Sequence, residues 1–199
     1  MNNNYEMNKT FIKVFENILP LETCDSLITY FENEKSYKNS SVKKNQANFS
    51  FSQKESSYDL ILNEWDARIK HIMVELNNGF LISSSITRCK GLAPNLLSNP
   101  FVIKKYEDGV GEGWSYEWSN KPSELYRQLT AVWYLNDVVD GGEDLFPFQE
   151  TIIKPEVGKL IIYPSIHTHI HTSNAPVNDD KYIITTCLTN YYPRWKKDE

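Results

Sequence analysis

Residues 151–188 read TIIKPEVGKLIIYPSIHTHIHTSNAPVNDDKYIITTCL, and this stretch decides the fold class. Short apolar runs, Thr151-Ile-Ile153, Leu160-Ile-Ile-Tyr163 and Tyr182-Ile-Ile-Thr-Thr-Cys-Leu188, alternate with Pro, Gly and Asn-Asp turns. Runs this short and rich in β-branched and aromatic residues predict strands rather than βαβ units. Phe101-Val-Ile-Lys-Lys-Tyr106 and Gln128-Leu-Thr-Ala-Val-Trp-Tyr-Leu135 extend the series, with a turn region expected at 109–113 and a loop around Gly141-Gly142. Strands at this spacing predict a jelly roll or barrel over residues 100–192.

The first half reads differently. Phe11 to Phe15 alternates as a short strand, and Pro20 opens a helix carrying Leu21, Cys24, Leu27, Ile28 and Phe31 on one face. Residues 35–55 are expected to form a polar loop, and a second helix is expected from Ser56 or Ser57 to Gly79 through Leu60, Ile61, Trp65, Ile69, Ile72, Met73 and Leu76. The expected class is therefore α+β in a single domain, a jelly-roll core with residues 1–99 supplying a strand and buttressing helices.

Composition narrows the function. A net charge of -5 supplies no basic excess to neutralise phosphates, so bulk binding to nucleic acid or to an anionic membrane is not expected. No apolar run approaches membrane-spanning length, and the first residues lack a basic segment followed by an apolar one. Cys24, Cys89 and Cys187 are odd in number and follow no disulfide or zinc spacing, which predicts reduced packing residues in a cytoplasmic protein.

Three of the four histidines fall in His167-Thr-His169-Ile-His171. On a strand all three imidazoles would share one face, with neighbours roughly 6–7 Å apart at Cα, and two could converge on a metal such as iron, zinc, copper or nickel. The same segment could equally line a polar cavity or bond a loop. Lys181 follows ten residues after His171, at the head of a predicted strand; alone it reads as a solvated turn lysine. Trp114, Tyr116 and Trp118 are packing aromatics or a substrate wall, and Arg127 belongs to a surface ion pair or holds an anionic substrate.

Taken together, Tyr106-Glu-Asp-Gly, Trp114-Ser-Tyr-Glu117, Tyr134-Leu-Asn-Asp137, Gly141-Gly-Glu143, Pro155-Glu-Val-Gly-Lys-Leu160 and His171 with Lys181 resemble the 2-oxoglutarate and Fe(II)-dependent dioxygenases. The resemblance is to their prolyl 4-hydroxylase-like branch, common also in phage genomes, and covers roughly residues 100–190. It implies a double-stranded β-helix of the cupin-like kind. It also implies a hydroxylase that couples oxidation of a C–H bond to decarboxylation of 2-oxoglutarate to succinate, with ascorbate as an accessory. By the same resemblance His171 is the distal iron ligand, Glu117 the acidic ligand and Lys181 the partner of the cosubstrate's far carboxylate. Tyr106 and Thr130 would place hydroxyls near that cosubstrate.

The pattern departs from the family at Ser115, where the first histidine ligand stands. Three readings follow: His169 supplies the missing nitrogen, iron is held by Glu117 and His171 with an extra water, or the site has lapsed and the jelly roll is a binding module. A cupin-like zinc or nickel protein leaves Lys181 and the Gly-Gly-Glu loop unexplained. The substrate is a small molecule or a peptide, with peptidyl proline suggested by the branch.

Overall fold

The computed structural model describes residues 10–34, 38–40, 54–55, 57–61, 97–98, 101–117 and 126–190. Within them the chain order is β1 (Lys13–Phe15), α1 (Leu21–Asn33), β2 (Lys38–Ser40), β3 (Lys54–Glu55), β4 (Ser57–Ile61), β5 (Leu97–Ser98), β6 (Val102–Tyr106) and β7 (Val110–Ser115). There follow β8 (Tyr126–Tyr134), β9 (Asp144–Phe146), β10 (Thr151–Ile153), β11 (Leu160–Pro164), β12 (His171–Ser173) and β13 (Lys181–Asn190). One sheet runs β1-β11-β8-β13-β6-β4-β2, with β5 also on β13; the second runs β10-β9-β12-β7-β3. Neighbours are antiparallel except β3 beside β7.

Alternation along the larger sheet creates two apolar layers. Ala131, Trp133 and Leu135 of the β8 segment, Leu160 and Ile162 of β11, Ile103 of β6 and Ile184 of β13 form one core with Cys24, Leu27 and Phe31 of α1. The intervening residues, Val132 and Tyr134, Ile161 and Tyr163, Tyr106 and Ile183, face the other way and pack with Phe146 and Ile153 of the smaller sheet. Side chains two apart on a strand share a face, so one run of β-branched and aromatic residues serves both layers. The second layer lies between the two sheets.

The helix expected after Pro20 is present as α1, with Cys24, Leu27 and Phe31 buried and Leu21 exposed. Its far end is fastened to the sheet: Lys105 Nζ lies 2.9 Å from Glu32 Oε1, and Tyr182 donates its hydroxyl to the same carboxylate. The hydrogen bond from Tyr182, then that from Lys105, holds the Glu32 carboxyl below its ordinary 4.5. A carboxyl depressed by folding stabilises fully above its unfolded pKa and loses that stabilisation as pH falls through the folded one. Glu32 is part-exposed, so the contribution is small. Thermal melts of wild type and Glu32→Gln are expected to differ by about 0.5 kcal/mol at pH 7 and to converge below the usual carboxylate range.

Three expectations are corrected. Ser57–Ile61 is a strand, not the first turn of a helix: Leu60 lies opposite Ile103 and Ile61 opposite Val102, and this pairing overrides a helical spacing carried by few residues. The rest of the expected helix, to Gly79, lies outside the described residues, as does most of the 35–55 loop. The turn expected over 109–113 is confined to Asp108-Gly109, and β7 starts at Val110 despite Gly111 and Gly113. His167–His169 is a single 3-10 turn closed by His169 N–H on the Ile166 carbonyl, 2.9 Å, and only His171 enters a strand. The three imidazoles therefore do not share a strand face.

Two turns need glycine. At Gly158, φ is +78° and a Cβ would sit 2.5 Å from the Leu19 carbonyl oxygen. At Gly141, φ is +73° and a Cβ would sit 2.2 Å from the Ala175 carbonyl oxygen, so the loop ahead of β9 closes tightly on the segment after β12.

Candidate functional site

A pocket opens between the two sheets. The larger sheet contributes Lys104, Tyr106, Val132, Tyr163, Ile183 and Thr185, and the smaller contributes Glu112, Asp144, His171 and Ser173, with Glu117 just beyond β7. The register explains the convergence. His171 on β12 lies directly opposite Ser115 on β7, and residues so paired project on the same side of a sheet. Lys181 at the head of β13 lies opposite Tyr106 at the end of β6.

His171 is held in one tautomer. Its Nδ1 is 3.0 Å from the His169 carbonyl oxygen, an acceptor only, so Nδ1 carries the proton. Nε2 is then a lone-pair acceptor, and Tyr163 offers its hydroxyl to it at 3.3 Å. The ring stacks near Phe146 and Tyr163 at centroid distances of 5.3 and 5.1 Å and is 6% exposed. A histidine whose second nitrogen is tied to a backbone carbonyl has the orientation expected of a metal ligand.

His169 is placed elsewhere. Its Nε2 donates to the Thr10 carbonyl at 2.9 Å, and its Nδ1 accepts from the Thr168 hydroxyl at 2.9 Å. Both nitrogens are engaged outside the pocket. Burial, outweighing the Thr10 bond, pushes the ring pKa below 6.5. The expectation that His169 replaces the histidine absent at position 115 is corrected on this geometry, because the 3-10 turn aims it at the segment before β1.

The acids of the pocket have cationic partners. Glu117 pairs with Arg127 at 3.0 Å, the ion pair expected for Arg127, and Glu112 lies 3.5 Å from Lys104 and 3.2 Å from the Tyr106 hydroxyl. Thr130 lies on the pocket-facing side of β8, but its hydroxyl is 2.7 Å from that of Ser165. Trp114 and Tyr116 are exposed and do not line the pocket; Trp118 lies outside the described residues.

Lys181 is fully buried, beneath the pocket. Its ammonium lies 2.9 Å from Asp144 Oδ1, 2.7 Å from the Gly142 carbonyl and 2.7 Å from the Ser173 hydroxyl. It also stands over the rings of Tyr106 and Tyr134, at 5.8 and 5.3 Å from their centroids. Tyr134 donates its hydroxyl to the other oxygen of Asp144, and burial, with that carboxylate beside it, holds the phenol protonated well above its ordinary pKa. Asp144, Ser173 and Tyr163 were not singled out by the sequence. Ser173 could have been, standing two residues beyond His171 on the same strand face.

Among the described residues the donors do not make up an iron site of the expected kind. Among the described residues no three His, Cys, Asp or Glu side chains cluster so as to hold a metal ion. His171 is oriented for one, but its partner across the strands is Ser115 and the nearby Glu117 is paired with Arg127.

No family model matches the chain, and no curated protein matches it. Solved structures do. A viral collagen prolyl hydroxylase from Paramecium bursaria Chlorella virus-1, in its 2OG complex, superposes with a TM-score of 0.70 at 16% identity, covering 92% of this chain and 98% of that one. The fold is that of the prolyl hydroxylases. A Pseudomonas putida prolyl-4-hydroxylase superposes with a TM-score of 0.69 at 13% identity over 92% of this chain and 95% of that one. A Trichoplax adhaerens prolyl hydroxylase, in complex with a hypoxia inducible factor peptide fragment, gives 0.68 at 19% identity over 92% and 84%. The likeness spans both sheets and agrees with the jelly-roll expectation. Among the described residues no helix is long and apolar enough to cross a membrane.

Proposed function

We propose that this chain is a 2-oxoglutarate-dependent oxygenase of the prolyl hydroxylase type, acting on a C–H bond of a small molecule or peptide. The observation that carries the reading is the convergence of His171, Glu117 and Tyr106 on one inter-sheet pocket, with Lys181 at its base, in this fold. In this reading His171 presents Nε2 inward and Glu117 supplies a carboxylate. Lys181 is the one fully buried cation under the pocket among the described residues, and so the counter-charge for the cosubstrate's far carboxylate. Fe(II), with ascorbate as reductant, belongs to this reading through the family alone.

A second reading is favoured by one specific observation, the serine facing His171: a jelly roll that keeps the fold and binds a ligand without turnover. One experiment separates the two. The purified chain is incubated with Fe(II), ascorbate, 2-oxoglutarate and a panel of prolyl peptides, free amino acids and nucleotides, and succinate is quantified. The oxygenase reading expects succinate formation that His171→Ala abolishes. Succinate at the protein-free background throughout would establish the binding module instead.

A further inference from the structure

The lysine assigned above as the anchor for a carboxylate already holds one, and that carboxylate belongs to the chain. An ammonium group has three N–H donors. Those of Lys181 are directed at the Gly142 carbonyl, Asp144 Oδ1 and the Ser173 hydroxyl, at 2.7, 2.9 and 2.7 Å. None is left for an incoming anion. Asp144 is itself fixed from its other side by the Tyr134 hydroxyl, and it lines the pocket while being 7% exposed.

Charge balance makes the same point. Among the described residues the carboxylates on the pocket wall are Glu112, Glu117 and Asp144, and their cations are Lys104, Arg127 and Lys181. Three negative and three positive charges sum to zero. A dicarboxylate entering this balance would bring the total to -2, with one of its carboxylates beside Asp144, and like charges that close repel strongly where water is excluded.

We propose that Asp144 is an internal carboxylate ligand of Lys181, competing for it with the far carboxylate of a dicarboxylic cosubstrate and so setting the affinity of the pocket for such molecules. The proposal rests on Lys181 being the anchor of the oxygenase reading. A dicarboxylate gains Lys181 only by displacing the Asp144 side chain. Removing that side chain leaves a carboxylate-sized space facing an uncompensated buried ammonium, which is the chemistry of an anion site.

The test needs neither metal nor turnover. Glutarate and 2-oxoglutarate are titrated calorimetrically into metal-free wild type, Asp144→Ala and the isosteric Asp144→Asn, and melting is followed with and without glutarate. Asp144→Ala is expected to bind glutarate at least about tenfold more tightly than wild type, a difference equal to about 1.4 kcal/mol. Its melting temperature, lowered by the substitution, is expected to rise with glutarate concentration by mass action, while that of wild type stays nearly level. Asp144→Asn should show the same direction of response. If neither variant folds unaided, glutarate in the refolding buffer should restore folding.

Equal binding by wild type and Asp144→Ala, or no binding or rescue in either variant, overturns the proposal. These outcomes are distinct from failure of the oxygenase reading, which appears as absence of succinate from wild type.

Discussion

Ser115→His is expected to convert the pocket into a tight Fe(II) site. Position 115 lies directly across the strands from His171, so a Cβ there is roughly 5 Å from that of His171, a separation from which two imidazoles can meet one ion. Glu117, two residues further on and also lining the pocket, would supply the carboxylate of a three-donor set. Even residues that merely orient metal ligands change affinity by about 10–100-fold, so a new direct ligand should exceed that range. Anaerobic titration against a competing chelator measures the gain, and a visible charge-transfer band with Fe(II) and 2-oxoglutarate reports the assembled chelate. An affinity equal to that of wild type would mean that Arg127 keeps Glu117 out of the site, or that the imidazole at 115 does not reach the pocket.

Lys181→Met should be among the most destabilising substitutions in the chain. It removes the fully buried cation of a buried pair and leaves Asp144 with only the Tyr134 hydroxyl. Breaking one partner out of a buried pair costs about 3–5 kcal/mol, because the remaining charge stays desolvated. For a chain of this size, that corresponds to a fall in melting temperature of roughly 10 °C. Adding Asp144→Leu and Tyr134→Phe to Lys181→Met replaces the network by apolar groups of similar volume, and most of the loss should return. Differential scanning calorimetry of the single and triple variants decides it. A Lys181→Met protein that melts like wild type would show that the pair is hydrated in solution.

The legible part of the fold was the part carried by local alternation. Residues 128–135 and 182–188 read as strands because their apolar side chains repeat along a two-sided layer, and both are strands. His171 and Lys181 were singled out together, and both are at the pocket, His171 in its wall and Lys181 at its base. β7 was hidden by Gly111 and Gly113, which signal turns unless neighbouring strands hold them extended. The histidine segment misled because alternation presupposes an extended backbone, and the hydrogen bond from His169 to Ile166 closes it into a turn instead. Asp144 carries no local signal. After Gly141-Gly-Glu it reads as one more loop acid, and its partner arrives 37 residues later on another strand. Long-range pairing of this sort leaves no periodic trace.

The position of β13 has a consequence for how the chain acquires its structure. Last in sequence among the described strands, it sits between β8 and β6 in the larger sheet, pairing Ile184 with Trp133 and Lys181 with Tyr106. A sheet whose central strand arrives after its neighbours cannot close early in synthesis, and contacts between segments so far apart make for slow folding, in the millisecond-to-second range. Until then the edges of β8 and β6 stay open and their apolar faces uncovered, the condition in which nascent chains associate with one another. A ribosome-bound chain stalled before residue 181 should therefore be protease-sensitive and dependent on chaperones, and release of ten more residues should bring protection in one cooperative step.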